Sequence, residues 1–282
     1  MPKAVVLTGY VPPDVLVWRN IPLPEPGPGQ VRIRVKAAGV SPIDTKIRHG
    51  DVQAVFPLPP GAILGFEAAG VVDAIGPPVS GVSVWDNVAS LLAGLGGYAE
   101  YVLASSWTPK PANVSWSDAA ALPVAAEAAL GILKQLRVMR GETLLVLGAA
   151  GSVGMIAMQL AASWGVTVIG AAAPRDQDLV RSLGAIPVTY GDGLADRVRQ
   201  VVASVDAVAD AAGKGGLGVA FSVGTPDRAP EALDQTMPVL ATGTLRIRRE
   251  RQLPMAQAAE AHRLLENGDT HETLILTPAE PA

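Results

Sequence analysis

The stretch Gly141–Arg175, GETLLVLGAAGSVGMIAMQLAASWGVTVIGAAAPR, decides the fold. No formally charged residue stands between Glu142 and Arg175. A membrane helix needs a run of about 20 predominantly apolar residues. This run is broken by Gly148, Gly151, Gly154, Gly165 and Gly170, with Ser152, Gln159, Ser163 and Thr167 among them, so it predicts no span. It divides instead into three pieces. TLLVL is short and apolar, as a strand buried on both faces is. SVGMIAMQLAASW has helical length, and Val153, Ala157, Leu160 and Trp164 fall on one face. VTVIG is a second buried strand. Two parallel strands joined by a crossover helix make a β-α-β unit.

Between the first strand and the helix sits GAAGSVG, with Gly148, Gly151 and Gly154 at steps of three. A tight strand-to-helix turn needs glycine torsions, and an approaching pyrophosphate needs backbone without Cβ atoms. The helix N-terminus offers N–H groups and positive dipole character to an anion. The spacing is a variant of G-x-G-x-x-G. It predicts dinucleotide binding through Gly148, Ala150, Gly151, Ser152, Val153 and Gly154; the alternative is that these glycines serve packing alone. An NAD site places Asp or Glu at the end of the second strand. Here Ala171, Ala172 and Ala173 stand there, followed by Arg175. Small residues with a nearby guanidinium suit a 2′-phosphate, so NADPH is the expected coenzyme. The other reading makes Arg175 a solvated residue at a helix start, paired with Asp176 or Asp178.

The whole chain has 282 residues, 49% of them apolar, a length that suits two domains. A net charge of −4 with both signs scattered predicts no nucleic-acid surface. With no cysteine, disulfides, thiolate metal sites and cysteine nucleophiles are excluded, and His49, His262 and His271 are far apart in sequence. No metal is expected. The opening MPKAVVLTGYVPPD lacks the pattern of a signal peptide, which predicts a cytoplasmic protein.

The first hundred residues have a different texture. QVRIRVKAAGV alternates Val31, Ile33 and Val35 against Arg32, Arg34 and Lys36, predicting a strand with one wet face. EAAGVVDAIG, VWDNVAS and GGYAEYVLA read as further short strands of an antiparallel domain. From about Ser117 helices and strands alternate. SWSDAAALPVAAEAALGILKQL is a helix with an expected kink at Pro123. DQDLVRSLGA and LADRVRQVVA read as helices leading to strands IPVTY and VDAVAD, and such alternation implies a parallel sheet. MAQAAEAHRLLENG is a helix stopped at Gly268, and ETLILTP a last strand.

These segments, with PEPGPGQVRIRVKAAGVSPIDTKIRHG, LGFEAAGVVDAIG and AALPVAAEAAL in order, resemble a family. The chain is similar to the medium-chain dehydrogenase/reductases of the zinc-free, quinone oxidoreductase-like branch, which includes zeta-crystallin and polyketide enoyl reductase domains. The resemblance implies an α/β protein. A GroES-like β-rich domain, residues 1–116 completed by 246–282, would accompany a Rossmann doubly wound parallel sheet, residues 117–245. It further implies hydride transfer from NADPH to a quinone or an α,β-unsaturated carbonyl, a small-molecule substrate, and a homodimer. Carried over residue by residue, Ser41 holds a slot where many members have Asn, Lys46 one where several have Tyr, and Ala128 one where Thr is usual. Ser41 and Lys46 are the implied catalytic residues, and Ala128 and Tyr190 join the coenzyme site. Ile47, Val55 and Phe56 are implied at the rim of the substrate pocket. Asp44 reads as a capping or fold residue and Glu67 as structural; Trp85 stands where the family has a turn glycine.

One departure is larger. After VDAVADAAG the family runs on through roughly 20 further residues, about one β-α unit, before the counterpart of GVAFSVG. Either the parallel sheet is one strand short or GVAFSVG moves inward to replace the strand. Together with the altered Ser41, Lys46 and Ala128, this keeps a second function open. The chain could be a repurposed relative without net redox chemistry, a cyclase on a polyketide-like substrate or an NADPH-binding accessory protein.

Overall fold

The computed structural model describes residues 1–54, 56–59, 61–212 and 228–279. The chain divides into two units, Met1–Val124 with Arg249–Ala282, and Ala125–Arg248.

The first unit is β-rich. An antiparallel hairpin pairs β1 (Lys3–Leu7) with β2 (Leu16–Asn20). The main sheet is built on β3 (Val31–Val40), β4 (Glu67–Ile75), β5 (Asn87–Leu91), β6 (Tyr101–Ala104) and β7 (Thr108–Pro109). Its order is β12-β13-β3-β4-β5-β7, with β6 also on β3; β12 is Glu250–Pro254 and β13 is Thr273–Thr277. β13 runs antiparallel to β3, placing Leu274 opposite Val40, so the C-terminal segment completes the sheet. Helices α1 (Pro42–His49), α2 (Trp116–Ala121) and α8 (Ala258–Glu266) belong to this unit.

Period-two alternation holds in β3 for Val31, Ile33 and Val35, all buried. The expected wet face does not hold at Arg32, which is also buried. Its guanidinium donates to both oxygens of Asp73 (2.9 and 3.2 Å) and to the Pro24 carbonyl (2.9 Å), the pairing that a buried charge requires. Pro123 does more than kink the alanine-rich helix. It starts a new one, because a proline ring lacks the N–H that would continue α2 but fits a first helical turn. Hence α2 ends at Ala121 and α3 runs Pro123–Leu136. Residues 117–124 therefore fall in the first unit: α2 packs on β3 and β4, and Ser117 Oγ accepts from Gln252 Nε2 (2.7 Å).

The second unit holds the parallel sheet. β8 (Thr143–Leu147), β9 (Thr167–Ala172), β10 (Ile186–Thr189) and β11 (Ala207–Asp210) lie in the order β10-β9-β8-β11, every pair parallel. The crossovers are α4 (Ser152–Ser163), α5 (Gln177–Ser182) and α6 (Leu194–Val201). Helix α7 (Ala229–Ala241), unforeseen in the sequence, carries Pro238 inside it. α4 is buried nearly all round from Gly154 to Met158 and again at Leu160 and Ala161, so the single apolar face expected of it is too narrow. The segment GVAFSVG, on which the choice between a shortened sheet and an inward-shifted strand turns, lies outside the described residues; among the described residues the parallel sheet has four strands. No described helix is long and apolar enough to cross a membrane.

Candidate functional site

In the second unit the loops after β8, β9 and β10 leave the sheet on one edge, at the carboxyl ends where α/β sheets receive ligands. After β8 the chain turns at Gly148, whose φ is +71°. A Cβ there would stand 2.8 Å from the Ala212 backbone nitrogen. Gly151 closes the turn, its N–H donating to the Gly148 carbonyl (2.9 Å), and occupies the N-cap of α4. A Cβ on Gly151 would meet only the Gly148 carbonyl oxygen, at 3.2 Å, so its other side is open. Gly154, one turn into α4, is different: a Cβ there would lie 2.3 Å from the Gly148 oxygen. Each glycine thus has its own reason: torsion, open approach and close packing. The first helical amide to bond back along the helix is that of Met155, to Gly151 (2.9 Å), and the geometry of a first turn leaves Val153 and Gly154 N–H without intrahelical acceptors. No acidic residue stands in that turn to repel an anion.

The next two strand ends complete the rim. Ala171, Ala172 and Ala173 are buried at the end of β9. Arg175 follows in a single 3-10 turn, Pro174–Asp176, with its side chain 61% exposed and Nε 3.8 Å from the Asp176 carboxylate. Asp178 is taken by Arg181 (2.5 Å). Tyr190 leaves the end of β10 with its N–H bonded to the Ala172 carbonyl (3.3 Å), and it is 55% exposed. Ala128, on α3, is fully buried and presents only a methyl group.

Two further residues hold this rim. Gln177 Nε2 donates to the carbonyls of Ala172, Ala173 and Val188 (3.0, 3.1 and 3.2 Å), stitching the ends of β9 and β10 together. Arg197 donates to the carbonyls of Thr189, Tyr190, Gly191 and Asp192 (2.8, 3.3, 3.2 and 2.9 Å) and so fixes the loop that carries Tyr190. The signal available in sequence was an arginine one turn into a helix that follows a glycine-rich loop, which alone does not separate a clamp from a solvated side chain.

In the first unit Ser41 caps α1 and is half-buried. Its N–H and its hydroxyl both donate to Asp44 Oδ2 (2.9 and 3.2 Å), while Asp44 Oδ1 accepts from Gly65 N–H (3.1 Å). Asp44 is fully buried. Burial pushes its carboxyl up to about 6 against the pull of those donors, first the amides of Ser41 and Gly65. Lys46 is exposed on α1. Ile47, expected at the rim of a substrate pocket, is buried in the core of this unit, because its place on α1 turns it under the helix. Phe56 is half-buried, edge-on to Phe66 (6.2 Å, 88°). Val55 lies outside the described residues.

A buried polar chain runs from α1 to α8. Arg48 Nε donates to His262 Nδ1 (3.2 Å), and its remaining N–H groups reach the Val11 carbonyl and Glu266. His262 Nε2 pairs with the Tyr98 hydroxyl (3.2 Å), and Tyr98 hydrogen-bonds Asp44. Burial, with the neighbouring Arg48 charge, pushes His262 down to about 3, so it is neutral. Glu67, at the start of β4, accepts from Val124 N–H (2.9 Å), and a Cβ on Gly39 would strike its carboxyl. Burial pushes Glu67 up to about 8, opposed by the Val124 amide and helped by the Asp44 charge.

Residues 27–112 match the family model described as the alcohol dehydrogenase GroES-like domain, and residues 166–271 that described as zinc-binding dehydrogenase. The NADPH-dependent alkenal/one oxidoreductase of Arabidopsis thaliana chloroplasts is 36% identical over 197 residues, 65% of this chain and 50% of that protein. The quinone oxidoreductase structure from Coxiella burnetii aligns at 29% identity and TM-score 0.86, covering 99% of both chains. A mycobacterial structure complexed with NADPH aligns at 28% identity and TM-score 0.82, covering 98% of this chain and 100% of that one. The chain belongs to the medium-chain dehydrogenase/reductase superfamily, among its quinone oxidoreductase-like members. It spans about half the length of the curated relatives it matches. The residues present do not fit the zinc of the second family description: the chain has no cysteine, and no group of three or more His, Asp or Glu among the described residues has metal-holding geometry.

Proposed function

We propose that this chain is an NADPH-dependent reductase that delivers hydride to a quinone or an α,β-unsaturated carbonyl. The observation that carries the reading is the glycine turn Gly148–Gly151 opening onto the N-terminus of α4, with Arg175 and Tyr190 on the same sheet edge. The names of the relatives, an alkenal/one oxidoreductase and quinone oxidoreductases, support the substrate class. The residues fit the coenzyme: the open side of Gly151 admits a pyrophosphate to the Val153 and Gly154 amides, with Ala150 and Ser152 beside them. Arg175 is the partner for a 2′-phosphate, where an Asp or Glu would repel it. Tyr190 offers a ring to the adenosine end, on a loop that Arg197 holds. When bound, NADPH supplies the hydride. Of the two implied catalytic side chains, Ser41 donates its hydroxyl hydrogen bond to Asp44, which leaves Lys46 to hold a proton for the developing enolate.

A second reading has its own observation. Ala128 offers no polar atom and the Ser41 hydroxyl is engaged, so a non-redox relative, a cyclase or a coenzyme-binding accessory protein, follows if Lys46 does not serve. Titration with NADPH and NADH at fixed salt, then coenzyme oxidation over a panel of quinones and enones, tests both. Binding with turnover supports the reductase, tight binding without turnover supports the second reading, and no binding overturns both.

A further inference from the structure

Residues Ser83–Asp86 form the turn that leads into β5. Asp86 N–H donates to the Ser83 carbonyl (3.1 Å), and the Asp86 carboxylate accepts from Ser83 N–H (2.7 Å). Trp85, the third residue of the turn, has a φ of +81°, whereas Val84 is not among the residues of positive φ. This is the pattern of a type II turn, whose third position belongs to glycine. A bulky side chain there is a genuine outlier, and an outlier of this kind points toward function. The strain is not offset by burial, because Trp85 is 70% exposed. The turn is also pinned from both sides: Trp85 N–H donates to the Val72 carbonyl (2.8 Å), and Val72 N–H to the Asp86 carbonyl (2.9 Å). The fold thus holds an indole in the open on a fixed mount.

That indole lines a cavity of about 340 Å³ together with Val82, Asn87, Trp107, Pro109 and Lys110. The charged groups at its edge are already engaged. Asp86 is held by Ser83, and Lys110 Nζ donates to the carbonyls of Pro111 and Val114 (2.9 and 2.5 Å) while lying over the Trp116 ring. The Asn87 side-chain amide has no hydrogen-bond partner among the described residues. The cavity therefore presents two indoles, a proline ring and one available amide. Its size suits a small organic molecule. Indoles bind flat rings by stacking, and the single amide selects a hydrogen-bonding edge.

We infer that this cavity, lined wholly by residues of the first unit, is a small-molecule site for a planar uncharged aromatic ring system of one or two rings with a hydrogen-bonding edge, and that Trp85 is its stacking wall. The inference does not depend on the redox reading.

The test uses the full chain with its tryptophan indoles labelled with nitrogen-15. It is titrated with 2-naphthamide and, as a ringless comparison, with cyclohexanecarboxamide. The expected result is a saturable shift of the Trp85 and Trp107 indole signals with 2-naphthamide. Cyclohexanecarboxamide should bind about tenfold more weakly or worse. Trp85→Gly, which relieves the turn and so keeps the fold, should weaken 2-naphthamide by a similar factor, and Asn87→Ala should weaken it less. Equal response to both amides overturns the inference, as does unchanged binding in Trp85→Gly. So does a Trp85 signal that moves with protein concentration alone, which would mean that a second copy of the chain covers the indole.

Discussion

Glu67→Gln separates burial from every other influence on the stability of the first unit. Glu67 is lifted from its ordinary 4.5 to about 8, chiefly by burial. A carboxyl whose folded value is raised contributes stability that is fully present below its unfolded value and is lost as pH rises toward the folded one. At about 1.4 kcal/mol per unit, the full interval amounts to about 5 kcal/mol. Two other groups titrate in the same unit. Asp44, raised from 3.8 to about 6, acts in the same direction but is finished near pH 6. His262, lowered from 6.5 to about 3, acts oppositely: its contribution is present above 6.5 and lost as pH falls. Between pH 6.5 and 8, then, Glu67 acts alone among them, and the wild-type chain should lose about 2 kcal/mol over that span. Glutamine keeps an oxygen for the Val124 amide and cannot ionise, so the variant's curve should be flat there, whatever its offset. Urea unfolding at several pH values in this window, followed by fluorescence and circular dichroism, reads the slope. An equally steep decline in Glu67→Gln would refute the claim that this carboxyl is buried neutral.

Trp85→Gly should raise stability by about 1–2 kcal/mol, because glycine adopts the positive φ freely and little buried surface is lost; thermal unfolding checks it. Gly154→Ala drives a methyl toward the Gly148 carbonyl and should destabilise by about 1–3 kcal/mol while weakening NADPH binding at least about tenfold, measured by calorimetry. Arg175→Ala should weaken NADPH about tenfold or more, leave NADH nearly unchanged and reduce the salt dependence of NADPH binding. Lys46→Met should lower kcat for enones without changing NADPH affinity, and an unchanged kcat would remove Lys46 from the chemistry.

How much of this was legible in sequence depends on how far apart the partners lie. The β-α-β unit is local: apolar run, glycine turn and helix fall within Thr143–Ala172, and periodicity and torsion chemistry suffice to read them. Gly148, Gly151 and Gly154 could be named for the same reason. Arg32 could not be read as buried, because the carboxylate that neutralises it, Asp73, is on the neighbouring strand and far off in sequence. The Arg48–His262–Tyr98 chain is more distant still, joining α1 to a helix near the other end of the chain. Nothing local in KIRHG or EAHRLLE marks either residue as a buried pair. β12 escaped notice because ERQLP is polar on a sheet edge, and α7 because Pro238 interrupts its pattern.

The same distinction bears on the chemistry. The residues proposed to receive the coenzyme, a glycine turn, a helix end and one guanidinium, all come from short segments of one unit. The reacting end is written differently. Ser41 fills its family slot in the letters, yet its hydroxyl points at a buried carboxylate that the chain has placed four hydrogen bonds deep, through Ser41, Gly65 and Tyr98. A serine so held is part of the α1 cap, and its proton is not free while Asp44 is ionised. On the proposed reading the serine at this slot serves the scaffold, and the proton for the developing enolate falls to Lys46, which α1 leaves exposed.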